Sequence, residues 1–150
     1  MKLILRVAWP ALVLVLAGCG GSSSTSSTAP TPVAAAIDLT GTWNESGGGT
    51  LSWRLTQTGT GVTGTSSFSQ DNGRFLGAVS GQGTVTGSVA DGAFSFTDTY
   101  KTLSKTNCSL AVTGRLVISG SQMSGPYQEV DSCDGATLGT VNGSLSVRKQ

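Results

Sequence analysis

The chain has 150 residues, nine Lys or Arg against eight Asp or Glu, and no histidine. Its near-neutral formal charge of +1 gives no electrostatic footprint for nucleic acid, which is set aside as a partner. The missing histidine removes the commonest general base and zinc ligand. With only 11% charged residues and 22 glycines, the surface must rest on Ser, Thr, Asn and Gln. That suits strands and turns better than helices.

In chain order, Lys2 and Arg6 precede an apolar run from Val7 to Leu16. This is the layout of a signal peptide, and the run is too short to span a bilayer as a helix, which takes roughly 20 apolar residues. Leu16-Ala17-Gly18-Cys19 resembles the lipobox of bacterial lipoproteins. The resemblance implies cleavage after residue 18, lipid on Cys19 as the membrane attachment, and a mature chain of charge −1, since Lys2 and Arg6 leave with the signal. Gly20 follows the cysteine in place of the aspartate that marks inner-membrane retention. By the same resemblance, the address is the outer membrane of the cell envelope.

Residues 19–36 are rich in Ser, Thr, Gly and Pro, without charge or period, and read as a tether. From residue 37 to 150 the pattern is β throughout. Leu51, Trp53 and Leu55 alternate with polar residues, as do Val85, Gly87 and Val89. Asp91-Gly92 reads as a hairpin turn before Phe94 and Phe96. Leu110, Val112, Gly114, Leu116 and Ile118 carry the longest alternation. A unit of apolar residue, then Thr, Ser or Asn, then Gly recurs irregularly, as in Val85-Thr86-Gly87 and Val112-Thr113-Gly114. Strand glycines of this kind are expected to let a narrow sheet bend and close. The fold expected is all-β, an antiparallel up-and-down β-barrel of about eight strands.

With Cys19 assigned to lipid, Cys108 and Cys133 remain, and in an oxidising compartment they are expected to form one disulfide. Asp98 to Asn107, with Lys101 and Lys105, reads as a polar connection before Cys108, either a solvated connector or a recognition loop. Asp131 and Asp134 flank Cys133; turn chemistry is the simpler reading, against acid–base or calcium chemistry. Glu129 is expected to point differently if Tyr127 to Cys133 is partly extended. No cofactor and no metal site is expected.

Gly41-Thr42-Trp43, opening the first strand, resembles the Gly-x-Trp signature of the calycins, the lipocalins and avidins. That resemblance implies a ligand-binding barrel with Arg148 lying over Trp43 to close one end. Leu39-Thr40-Gly41-Thr42-Trp43 and Val62-Thr63-Gly64-Thr65 look avidin-like. Biotin nevertheless gains little support. Past the signal only Trp43 and Trp53 remain, and Asn44 follows Trp43 without an intervening aromatic. Trp53, Phe68, Phe94, Phe96 and Tyr127 either line a cavity for a small apolar ligand or fill the barrel as core, and core is the simpler reading. The function expected is a lipid-anchored, non-catalytic binding module for a small apolar ligand or a protein partner. The alternative is a barrel-type inhibitor of an envelope or extracellular enzyme.

Overall fold

The computed structural model describes residues 37–47 and 50–150, with the side chains of 71–73 left aside. The signal, Cys19 and the tether lie outside the described residues. Eight antiparallel strands follow one another around a closed ring: β1 Gly41–Glu45, β2 Ser52–Thr58, β3 Gly61–Gly73, β4 Gly77–Ala90, β5 Ala93–Thr102, β6 Cys108–Ser119, β7 Gln122–Cys133 and β8 Ala136–Lys149. Each pairs with its neighbours in sequence, and β8 returns to β1. The expected all-β, up-and-down architecture is therefore present.

The tight turns explain the short connections. Asp91 and Gly92 both have positive φ, 51° and 70°, as do Asp134 and Gly135 at 53° and 79°. Asp-Gly accepts this backbone, which matches the twist of the strands it joins. The hairpin at Asp91-Gly92 then holds Ala90 opposite Ala93 and turns Phe94 and Phe96 inward.

The glycines repeated within strands provide room inside the barrel. A Cβ on Gly114 would lie 2.8 Å from the Phe96 ring, on Gly81 2.5 Å from Phe68, and on Gly143 2.6 Å from Tyr127. Large rings thus lie flat on the inner wall over residues with no side chain, which lets a narrow barrel hold aromatic residues on several strands.

The two ends differ. At the lower end, where the chain enters and leaves, Leu39 and Trp43 are buried, and Trp43 Nε1 donates to the Leu39 carbonyl at 2.8 Å. Lys149, not Arg148, lies over the Trp43 ring, its Nζ 5.8 Å from the ring centroid. Strand period explains the correction. Val147 points inward, so Arg148 is exposed on the outer face and Lys149, opposite Trp43, turns back in. Above this floor a core of Trp53, Leu55, Val62, Val85, Phe94, Phe96, Leu116, Met123 and Val147 fills the barrel.

The upper end carries the long connections. A second, smaller cluster of Leu76, Val79, Tyr100 and Leu110 packs there. From the tip of the β3–β4 hairpin, Phe75 reaches across to β8, where a Cβ on Gly139 would meet its ring at 2.1 Å. The Cys108–Cys133 disulfide joins β6 to β7 at this end, between residues already opposite each other.

Candidate functional site

The ring is closed only narrowly between its first and last strands. β1 pairs with β8 through Trp43–Lys149, Asn44–Arg148 and Glu45–Val147 and then ends. Above Val147, β8 has no β1 partner, and β3 above Ser67 has no β2 partner, because β2 begins at Ser52. The wall therefore opens between upper β8 and upper β3. At this gap the described end of the β1–β2 connection is fixed to β3, where the Ser69 amide donates to Thr50 Oγ1 at 2.7 Å and the Thr50 hydroxyl donates back to the Ser69 carbonyl.

Behind the gap lies a cavity of about 230 Å³. Its mouth is marked by the exposed residues Thr50, Ser69, Gln70 and Ser144. Its walls are Leu51, Phe68, Tyr100, Leu110, Val112, Tyr127 and Leu145, with the carboxylates of Glu45 and Glu129. Phe68 and Tyr100 meet edge to face with centroids 4.6 Å apart, and the Tyr127 ring lies against Gly143.

Of the five rings singled out in the sequence, the structure brings Phe68 and Tyr127 to the cavity. Trp53, Phe94 and Phe96 lie below it as core, packed on one another with centroids 5.0 to 6.2 Å apart. Tyr100, Glu45 and Glu129 were missed as cavity residues. Alternation along β5 from Phe94 and Phe96 would have placed Tyr100 inside, but its level in the barrel depends on strand register.

Below the cavity sits a buried polar network. Asp98 is fully buried and accepts hydrogen bonds from Trp53 Nε1 at 2.7 Å, from Ser66 Oγ at 2.6 Å and from the Tyr100 hydroxyl. Burial raises the Asp98 carboxyl above its ordinary range, and the hydrogen bonds from Ser66, Tyr100 and Trp53 oppose that rise. Burial, with the Asp98 charge beside it, also pushes the Tyr100 phenol far up. Asp98 is thus no loop residue. β5 runs on to Thr102, which keeps Lys101 exposed on a strand and leaves only residues 103–107, including Lys105, as the connection.

A second correction concerns the acids near Cys133. Asp134 is turn chemistry, with positive φ and a hydrogen bond donated by Asn107 Nδ2 at 3.0 Å. Asp131 is 1% exposed, and its Oδ1 receives no hydrogen bond from the described residues. In an extended β7, residues 127, 129 and 131 share one face, so Glu129 points inward with Asp131 and not away from it. Burial first, then the hydrogen bond and charge of Asp131, push the Glu129 carboxyl up to about 7. Tyr127 is raised by burial and by the charges of Glu129 and Glu45.

Among the described residues no three His, Cys, Asp or Glu side chains converge to hold a metal ion. Compared with protein-family models, curated proteins and solved structures, the chain matches none.

Proposed function

We propose that this protein is a non-catalytic binding barrel, anchored to the cell envelope through lipid on Cys19, that holds a small molecule behind the gap between β3 and β8. The observation that carries this reading is the cavity of about 230 Å³, walled by aromatic and aliphatic side chains with two carboxylates among them. Concave, mostly apolar sites with a few polar groups are what small ligands use. The size, below the roughly 300 Å³ at which drug-sized pockets begin, suits a small occupant. Catalysis finds less support. Glu129 and Asp131 lie side by side on one face of β7, whereas carboxyls that cleave a glycosidic bond flank it from two sides, roughly 5 Å or more apart.

The test is a fragment screen followed by NMR on the methyl-labelled chain. Binding at the site shifts Leu51, Leu110, Val112 and Leu145 and leaves Val62 and Leu116, deep in the lower core, unmoved. Native mass spectrometry of the purified chain reads any occupant carried from the cell. A screen without hits, together with a bare native mass, overturns the reading. For the anchor, Cys19→Ala must abolish both acyl labelling and membrane fractionation.

Docking of a protein partner, inhibition included, is the second reading. It is favoured by the exposed apolar residues Phe75, Leu103 and Leu138 beside the upper connections. Replacing all three by Ser would abolish inhibition of a target enzyme while leaving the cavity intact.

A further inference from the structure

We propose that the cavity selects a small organic cation, an ammonium group on an apolar body, held by the carboxylates of Glu45 and Glu129 against the rings of Phe68, Tyr100 and Tyr127. This rests on the small-ligand reading above and adds a positive charge to the small apolar ligand expected from sequence.

Charge is the first ground. Glu45, Asp98, Glu129 and Asp131 all belong to the upper interior of the barrel, and no Lys or Arg among the described residues lines the cavity. The inward Lys149 is at the opposite end, over Trp43. Asp98 is satisfied by its three donors and asks for no ligand. Glu45 accepts only a long bond, 3.4 Å, from the Leu51 amide.

The second ground is independent of the count of acids. Asp131 is almost wholly buried, yet its Oδ1 has no donor. A buried acceptor left unpaired is costly, and native interiors supply a partner. Asp131 shares the inner face of β7 with Glu129, two residues away, so a donor brought to Glu129 by a ligand is the one this position calls for.

The third ground is the walls. Phe68, Tyr100 and Tyr127 offer ring faces and edges, and a desolvated cation over a ring face gains further attraction. An anion would meet the carboxylates at close range. A metal ion would need a convergent set of oxygens, which the described residues do not form.

Binding is then coupled to protons. When an ammonium enters, its charge supports ionisation of Glu129, and the proton that burial keeps on that carboxyl leaves. The titratable groups that line the cavity with Glu129 are Glu45 from β1, Tyr100 from β5 and Tyr127 from β7 itself. None of them carries positive charge, so the proton is released by the ligand alone. Glu129 titrates at about 7, so affinity for a permanently protonated amine rises with pH through that value.

The experiment titrates the full chain with phenethylamine, with its neutral isostere phenethyl alcohol and with phenylacetate, at pH 5.5 and pH 8, by calorimetry in two buffers of different ionisation heat. The expected result is roughly tenfold preference for the amine over the alcohol, about 1.4 kcal/mol. Phenylacetate binds weakest, amine affinity is several-fold higher at pH 8, and protons are released on binding. Glu129→Gln removes the pH dependence and most of the amine preference while keeping the alcohol affinity. Glu45→Gln lowers amine affinity without removing the pH dependence.

Equal binding of amine and alcohol, or stronger binding of phenylacetate, overturns the cation proposal and leaves the small-ligand reading standing. Displacement of the amine by millimolar calcium overturns it in favour of a metal site. Absence of binding by all three probes, with no cavity methyl shifted, overturns both.

Discussion

Replacing Glu129 by Gln removes a group that the folded protein holds in the wrong protonation state at neutral pH. In the fold its carboxyl is pushed up to about 7 from an ordinary 4.5, by burial first and Asp131 second. The sign follows by linkage. Between those values the folded chain still binds the proton that the unfolded chain has lost. Stability is therefore fully present below pH 4.5 and falls as pH rises through 7. The span between 4.5 and about 7 corresponds to an upper limit of about 3.4 kcal/mol at about 1.4 kcal/mol per tenfold. Glu129 is only half-buried in the cavity wall, and solvent screening reduces that to about 1–2 kcal/mol. Urea denaturation of both proteins at pH 5 and pH 8 measures it. Asp98, whose raised carboxyl adds a slope of the same sign, is common to both and cancels. Glu129→Gln should be flatter than the parent and about 1–2 kcal/mol more stable than it at pH 8. Parallel profiles, or a parent that gains stability toward pH 8 relative to the variant, would refute the raised Glu129 carboxyl.

Four further outcomes follow from the same structure. Opening the Cys108–Cys133 bridge by Cys108→Ser with Cys133→Ser should cost about 3 kcal/mol in denaturant, since the bridge spans 25 residues of chain. Asp98→Ala leaves Trp53, Ser66 and Tyr100 without their buried acceptor and should cost about 3 kcal/mol or more, with the near-ultraviolet signal of Trp53 lost first. On β3, Gly64→Ala sets a methyl 2.2 Å from the Arg54 carbonyl oxygen and should cost about 1–3 kcal/mol, whereas Gly61→Ala, whose nearest neighbour is at 3.5 Å, should stay within about 0.5 kcal/mol of the parent. Lys149→Ala should lower thermal stability by about 0.5–1 kcal/mol through its lost contact with Trp43, and Arg148→Ala, on the exposed face, should not.

Much of the fold could be read without coordinates because strand alternation is a local signal. Leu51, Trp53 and Leu55, or Leu110 to Ile118, announce which side of a strand faces the core, and Asp91-Gly92 announces where the chain reverses. The Cys108–Cys133 pair followed from counting. The errors arose where alternation was broken off too early. Taking Asp98 to Asn107 as a loop overlooked that Phe94, Phe96, Asp98 and Tyr100 continue one inward series. Carrying Arg148 over from a resemblance overrode the parity that Leu145 and Val147 set for Lys149. Polarity misled at Asp98 and Asp131, since a buried carboxylate becomes tolerable only through partners that distant strands supply.

Local sequence, then, determined the strands, their turns, the inward and outward faces and the closing bridge, because each depends on residues within a few positions of one another. The tertiary structure alone decided which inward residues share a level. Trp53 meets Asp98 across 45 residues of chain, and Glu45 of β1 reaches the cavity walls of β7 and β8 only because β8 returns to a short β1 and leaves the wall open above it. Register and ring closure are properties of the whole sheet. A shift of two residues in any one pairing would keep every face correct and still scatter the site.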